Sequence, residues 1–250
     1  MQKVEEYVGV PIFNRTKNKL SLNDAGKEVV KYANFVIEAE RTMKERAVYV
    51  YNSSSNLYVG SVAPGPMIKY GNLLFLTFPH KQIISKIEPQ EDLINKLLNG
   101  NYDFIFTYSK VDNDLLVSQL AFQENLYVTV PRTHFLAGMT NGVHFSEIDG
   151  QSFLVSNNLG IWDNIVSKNL PKSKFFPQDM ENLYDIVNAS TIPNFSTNIT
   201  LPLKAELDRI SLPILDDEAK VTFYLVYRKQ DKRNLNSLLK LIMNKSCKYD

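Results

Sequence analysis

The side chains able to do covalent or metal chemistry do not stand where such chemistry would need them. His80, His134 and His144 are scattered, with no carboxylate or cysteine beside them at ligand spacing, so they read as structural histidines and no metal site is expected. Ser61 and Ser156 lie on no strand-turn-helix nucleophile elbow, which argues against a catalytic triad. Asp216-Asp217-Glu218 reads as a solvated loop before the last strand rather than a cation site. No constellation of nucleophile, base and oxyanion donors emerges, so the expectation is a protein that is not an enzyme and carries no cofactor. Cys247 is the single cysteine and has no internal partner for a disulfide, which makes a reducing, cytoplasmic setting the default.

The whole chain narrows the function classes further. It has 250 residues, 44% hydrophobic and 22% charged, an ordinary globular balance with room for one or two domains. A formal net charge of +1 gives no global pull toward nucleic acid or membrane, so any DNA contact has to come from a local patch. No run approaches the roughly 20 apolar residues of a spanning helix. The opening MQKVEEYVG lacks the apolar core of a signal peptide.

The elements follow from local patterns. Residues 1–8 read as the last turns of a helix, closed by Gly9 and by Pro11 beyond it. Ile12-Phe13 and Leu20-Ser21-Leu22 flank the basic stretch Arg15-Thr16-Lys17-Asn18-Lys19, a hairpin pattern. Asn23 is a good N-cap for one long helix to about Tyr49, whose apolar positions include Val29, Ala33, Val36, Ile37 and Met43. Such a stripe predicts a partner helix rather than packing on the chain's own domain. Asn52-Ser53-Ser54-Ser55 reads as a flexible joint. Beyond it, apolar strand-like runs at Leu57–Val62, Phe104–Phe106, Leu126–Val130, Phe153–Val155 and Thr222–Tyr227 alternate with helical segments. That alternation predicts an α/β domain built on a parallel sheet covered on both faces.

Several stretches together carry a resemblance. Residues 4–15, VEEYVGVPIFNR, are similar to LE-x-x-L-G-x-x-L-F-x-R, and Leu22-Asn23-Asp24-Ala25-Gly26 to L-T-x-A-G. Residues 99–106, NGNYDFIF, are similar to x-G-x-L-D-[LA]-A-[IL]. Residues 130–137, VPRTHFLA, are similar to V-P-x-x-H-P-L-A, with Phe135 replacing proline, and Val226-Tyr227-Arg228-Lys229 to V-W-R-K. In this order the chain resembles the LysR-type transcriptional regulators, effector-responsive DNA-binding proteins. The resemblance implies a two-lobed domain like type 2 periplasmic binding proteins, preceded by a partial winged helix-turn-helix (1–22) and a linker helix for dimerisation (23–52). The effector-binding domain would be 53–250, with lobe one at 56–130 and 220–250 and lobe two at 131–219. The chain begins inside what resembles the recognition helix, so the expectation is a regulator lacking the residues that read base edges.

The remaining roles are implied by the resemblance as well. Arg15, Lys17 and Lys19 would make DNA-phosphate contacts, or form a plain solvated hairpin. Effector binding would fall between the lobes, at Pro64, Gly65, Gln90, Thr107, Tyr108, Asn157, Asn158 and Thr197. Pro64 stands where the family often has a hydroxyl residue that holds an effector carboxylate, and proline cannot do that. The pair Asn157-Asn158 fits either cleft lining or a plain turn. These segments are rich in neutral hydrogen-bonding groups, which predicts a small polar metabolite as effector, with Tyr108 and Trp162 available to stack on a ring or cover the wall. The expected partners are that effector, DNA in a full-length form and further copies in a homodimer or tetramer, with no membrane. A solute-binding receptor of the same two-lobed fold is the alternative, and the first 50 residues separate the two.

Overall fold

Helix ends and tight contacts set the first unit, Met1–Ser54. The computed structural model describes residues 2–16, 19–139, 141–201 and 208–246; Lys17 and Cys247 lie outside the described residues. Helix α1 (Gln2–Val8) stops because Gly9 turns into the left-handed region at φ +82°, a conformation that costs glycine little. The Glu5 side chain then accepts hydrogen bonds from the backbone N–H groups of Ile12 and Phe13 at 2.9 and 3.3 Å, fixing the exit of the helix. Strands β1 (Phe13–Thr16) and β2 (Lys19–Leu22) form the expected hairpin, with the backbones of Arg15 and Lys19 opposite Leu20 and Thr16.

Helix α2 (Asp24–Asn52) starts at Asn23, whose Oδ1 accepts from Gly26 N–H at 2.8 Å while its Nδ2 donates to the Pro11 carbonyl. Gly26 is obligatory: a Cβ there would lie 2.2 Å from the Ile12 carbonyl oxygen. The helix outlasts the expected end at Tyr49 and takes in Asn52 before Ser53 caps it. Val36, Ile37 and Met43 are each more than 60% exposed, so the apolar stripe is open in a single copy of the chain.

The second unit, Ser55–Asp250, holds the remaining elements. They are β3 (Asn56–Ser61), α3 (Gly65–Thr77), β4 (Gln82–Ile87), α4 (Gln90–Leu98), β5 (Phe104–Thr107) and β6 (Leu116–Pro131). Then follow α5 (Phe145–Ile148), β7 (Ser152–Ser156), α6 (Ile161–Asn169), β8 (Lys174–Gln178), α7 (Met180–Ala189), β9 (Asn194–Thr197), β10 (Arg209–Pro213), β11 (Lys220–Arg228) and α8 (Lys232–Ser246). The strands join in the order β4-β3-β5-β11-β6-β9-β7-β8, with β10 also on β6. Among the described residues no helix is long and apolar enough to cross a membrane.

The sheet corrects the expectation of a purely parallel one. The βαβ repeats β3–β4, β3–β5, β7–β8 and β7–β9 are parallel, but β6, β10 and β11 run antiparallel to their neighbours. The long β6 is shared. Leu116–Asn125 pair with β11, and Leu126–Pro131 pair with β9 and β10. The change of partner thus falls at Asn125–Leu126, inside a strand. Strands β4, β8 and β10 are not legible in the sequence: each pairs on one side only, and β4 and β8 expose much of their length; Pro177 is tolerated in β8 for the same reason.

One large hydrophobic cluster runs through both lobes, beside a smaller one of Leu154, Leu183 and Val187, and stacked aromatics lie within the larger. Phe122 packs on Phe223 with ring centroids 5.1 Å apart, and Tyr70 stacks on Phe106 at 5.8 Å. Asp103 closes the start of β5 against β3. Its carboxylate accepts the Tyr58 N–H at 2.8 Å, and its own N–H donates to the Tyr58 carbonyl. Asp103→Ala leaves the Tyr58 N–H without that acceptor and should lower stability by about 1–3 kcal/mol in urea unfolding. A change within error would show that water replaces the carboxylate there.

Candidate functional site

Where β6 changes partner, the two lobes enclose a cavity of about 240 Å³. Lobe one contributes Pro64, Gly65 and Ile68 from the start of α3. Lobe two contributes β7, α6, α7 and β9 through Leu154, Ser156, Trp162, Val187, Phe195 and Thr197, among others. Glu124 and Leu126 on β6 form the floor between them.

Glu124 is the unexpected group. Along β6 the inward phase runs Phe122, Glu124, Leu126, Val128, Val130, and the carboxylate is 2% exposed within that apolar row. Trp162 donates its indole N–H to Glu124 Oε2 at 3.4 Å, and the Thr197 hydroxyl donates to the same carboxylate. The carboxylate also lies against the first turn of α3. A Cβ on Gly65 would meet Glu124 Oε2 at 2.2 Å, so only glycine lets the acid approach the helix N-terminus. Burial pushes the Glu124 carboxyl above the ordinary carboxylate range, while Thr197, Trp162 and the charge of Lys69 draw it back. Lys69 itself lies over the Phe122 ring, 4.8 Å from its centroid.

The lobes also meet through backbone. Ile161 N–H donates to the Val62 carbonyl at 2.9 Å, joining the start of α6 to the end of β3. Gly160 allows this contact: its φ is +65°, and a Cβ would lie 2.1 Å from that same carbonyl oxygen. Asp163 reaches back to accept the Leu159 N–H at 3.0 Å and holds the turn.

Of the residues expected to bind an effector, the cavity takes in Pro64, Gly65 and Thr197. Gln90, Thr107, Tyr108, Asn157 and Asn158 lie outside it. Gln90 is occupied within lobe one, donating to Ser109 Oγ at 2.9 Å and accepting from Tyr108 N–H at 3.1 Å. Thr107 is buried and donates to the Ser109 carbonyl, and Tyr108 is exposed. Asn157 donates to Asp179 at 2.8 Å, and Asn158 takes a left-handed turn at φ +59°. Trp162, named from sequence as a possible wall, is indeed in the wall. Glu124 was missed, and its signal was the period of the strand: an acid in phase with four apolar residues.

The cavity wall is mainly apolar, with hydroxyls at Ser156, Ser196, Thr197 and Thr200 and the one carboxylate. Outside the cavity, Gln90, Thr107 and Asn157 hydrogen-bond within their own lobes. A family model of the LysR substrate binding domain matches residues 73–242. The chain belongs to the LysR substrate-binding-domain family. The match spans both lobes and the β6 crossing between them.

Two curated relatives extend the comparison. The uncharacterized HTH-type transcriptional regulator YwqM of Bacillus subtilis (strain 168) is 24% identical over 190 residues, covering 72% of this chain and 63% of that protein. The hydrogen peroxide-inducible genes activator of Pectobacterium carotovorum subsp. carotovorum is 22% identical over 241 residues, 91% of this chain and 79% of that one. A full-length OxyR variant from Pseudomonas aeruginosa shares the fold with a TM-score of 0.59 at 20% identity, over 97% of this chain and 83% of that chain.

Two substitutions test the geometry. Because folding holds the Glu124 carboxyl above its unfolded value, its contribution to stability is complete below the ordinary carboxylate range and is lost as pH rises through the raised value. Glu124→Gln keeps an acceptor for Trp162 and Thr197 but does not titrate. It should be more stable than wild type at neutral and alkaline pH, with the gain shrinking as pH falls into the ordinary carboxylate range. Urea unfolding across pH reads this, and a difference independent of pH would contradict it. Gly160→Ala forces both a left-handed alanine and a clash, and should cost more than about 1 kcal/mol in the same assay.

Proposed function

We propose that this chain acts as an effector-responsive transcriptional regulator of the LysR type, sensing through its substrate-binding domain and dimerising through α2. The observation that carries the reading is the cavity at the β6 crossing, with Gly65 on one side, Trp162 and Thr197 on the other, and Glu124 between. An occupant there touches both lobes, so its binding energy favours one lobe arrangement over others. Helix α2 supplies the second part: its apolar stripe, half-buried at Val29 and exposed at Ala33, Val36, Ile37 and Met43, pairs with the same helix of another copy. DNA is the third partner, with Arg15, Lys17 and Lys19 contacting phosphates. Such contacts position a protein without reading sequence. The alternative of a solute-binding receptor leaves the α2 stripe without a role.

Two measurements test the reading. Light scattering of the full chain at micromolar concentration should give a dimer, or a tetramer built from dimers. Ile37→Glu should shift it toward monomer, and a monomeric wild type would contradict the assignment of α2. A melting screen of small molecules should find ligands that stabilise the chain, by about 2.7 kcal/mol at 100 times the dissociation constant. Ile68→Tyr, which narrows the cavity from its exposed rim, should remove most of that gain. A ligand whose effect ignores Ile68→Tyr would place the effector site elsewhere.

A further inference from the structure

Resting on the reading of the cavity as the effector site, we propose that its ligand is a small organic cation, an amine with an apolar body, and that Glu124 is the residue that receives the ammonium. The lining settles which charge the cavity accepts. Glu124 is its carboxylate, and no lysine, arginine or histidine is among the lining residues described. An anionic ligand would therefore meet a like charge at close range in an apolar surround, where such repulsion is strong.

The anion-attracting feature of the fold is already taken. The N-terminus of a helix favours negative charge, and here the first turn of α3 has the Glu124 carboxylate packed against Gly65. The protein's own acid stands where an incoming acid would otherwise be held. Pro64 lacks both a hydroxyl and a backbone N–H with which to bind a second one.

Glu124 is also set up to accept rather than to donate. Burial pushes the carboxyl up, and against it the Thr197 hydroxyl and Trp162 N–H both donate to the group while the charge of Lys69 draws it back toward the charged form. What the carboxylate lacks is a countercharge inside the cavity, and an ammonium group supplies one together with charge-assisted hydrogen bonds. The rest of the space suits hydrocarbon. Leu154, Val187 and Phe195 form an apolar wall, and about 240 Å³ holds a single ring. The Trp162 ring borders the same space and favours a cation over its face.

The test is calorimetry of the full chain at neutral pH with three probes of one body and three head groups: phenethylamine, phenethyl alcohol and phenylacetate. Wild type should bind phenethylamine about tenfold or more tightly than the alcohol, the margin expected of a charge-assisted contact. Phenylacetate should bind weakest. Glu124→Gln should erase the preference for the amine while leaving the alcohol little changed, and Ile68→Tyr should weaken all three. Phenylacetate or the alcohol matching the amine in wild type would overturn the proposal, as would amine binding that survives Glu124→Gln or an absence of heat from the amine. If phenylacetate binds and Ile68→Tyr blocks it, the cavity remains the effector site and only the charge assignment falls. If amine binding ignores both variants, the reading of the cavity falls with it.

Discussion

Strand β6 has to serve two sheets at once, and the rest of the sensing unit depends on how it does so. Its first half is held by β11 and its second half by β9 and β10, so one of the two chain crossings between the lobes is made by a continuous strand rather than by a loose linker. At the crossing the inward face of the strand borders the cavity between the lobes as well as the shared core. Glu124 occupies this position, which is why a carboxylate survives in a row otherwise made of Phe122, Leu126, Val128 and Val130. The glycines at 65 and 160 are consequences of the same arrangement. One makes room for the acid against α3, and the other lets α6 dock its first N–H on Val62.

The energetics of this floor are finely set. An uncompensated buried charge costs several kcal/mol. Here two donors and one nearby cation offset part of that cost, and the remainder shows as the upward push on the carboxyl. The site is therefore poised: a countercharge entering the cavity gains both its own contacts and relief of a standing cost. Occupancy would also act on the Val62–Ile161 contact, since the turn that makes it leads directly into the helix bearing Trp162.

Much of the fold was legible where local chemistry dictates it. The Gly9 stop, the Asn23 cap, the strands flanking the basic stretch and the long helix α2 follow from caps, breakers and apolar spacing that act within a few residues. Strands β4, β8 and β10 were not legible, because solvent-exposed edge strands and strands paired over long range carry mixed patterns. The site divides the same way. Pro64, Gly65 and Thr197 follow from where strands end and helices begin. Asn157, Thr107 and Gln90 are equally polar and equally placed at strand or helix ends, yet their hydrogen bonds close on neighbours in their own lobe. Composition cannot tell a group that waits for a ligand from one already satisfied, because the difference lies in which partner the folded backbone brings within reach. Glu124 needed the opposite inference, from strand phase rather than from polarity, and the phase was hidden while β6 was taken to begin at Leu126.

The central claim is that a ligand sits at the β6 crossing, against Glu124 and between the lobes. Trp162 is the single tryptophan of the chain, and its indole N–H points at that carboxylate, so its fluorescence reports on the cavity directly. Titrating the full chain with phenethylamine while following tryptophan emission should give a saturable change in intensity and wavelength. The change should carry the same midpoint as the calorimetric binding curve. Saturable heat with unchanged Trp162 emission would contradict the account.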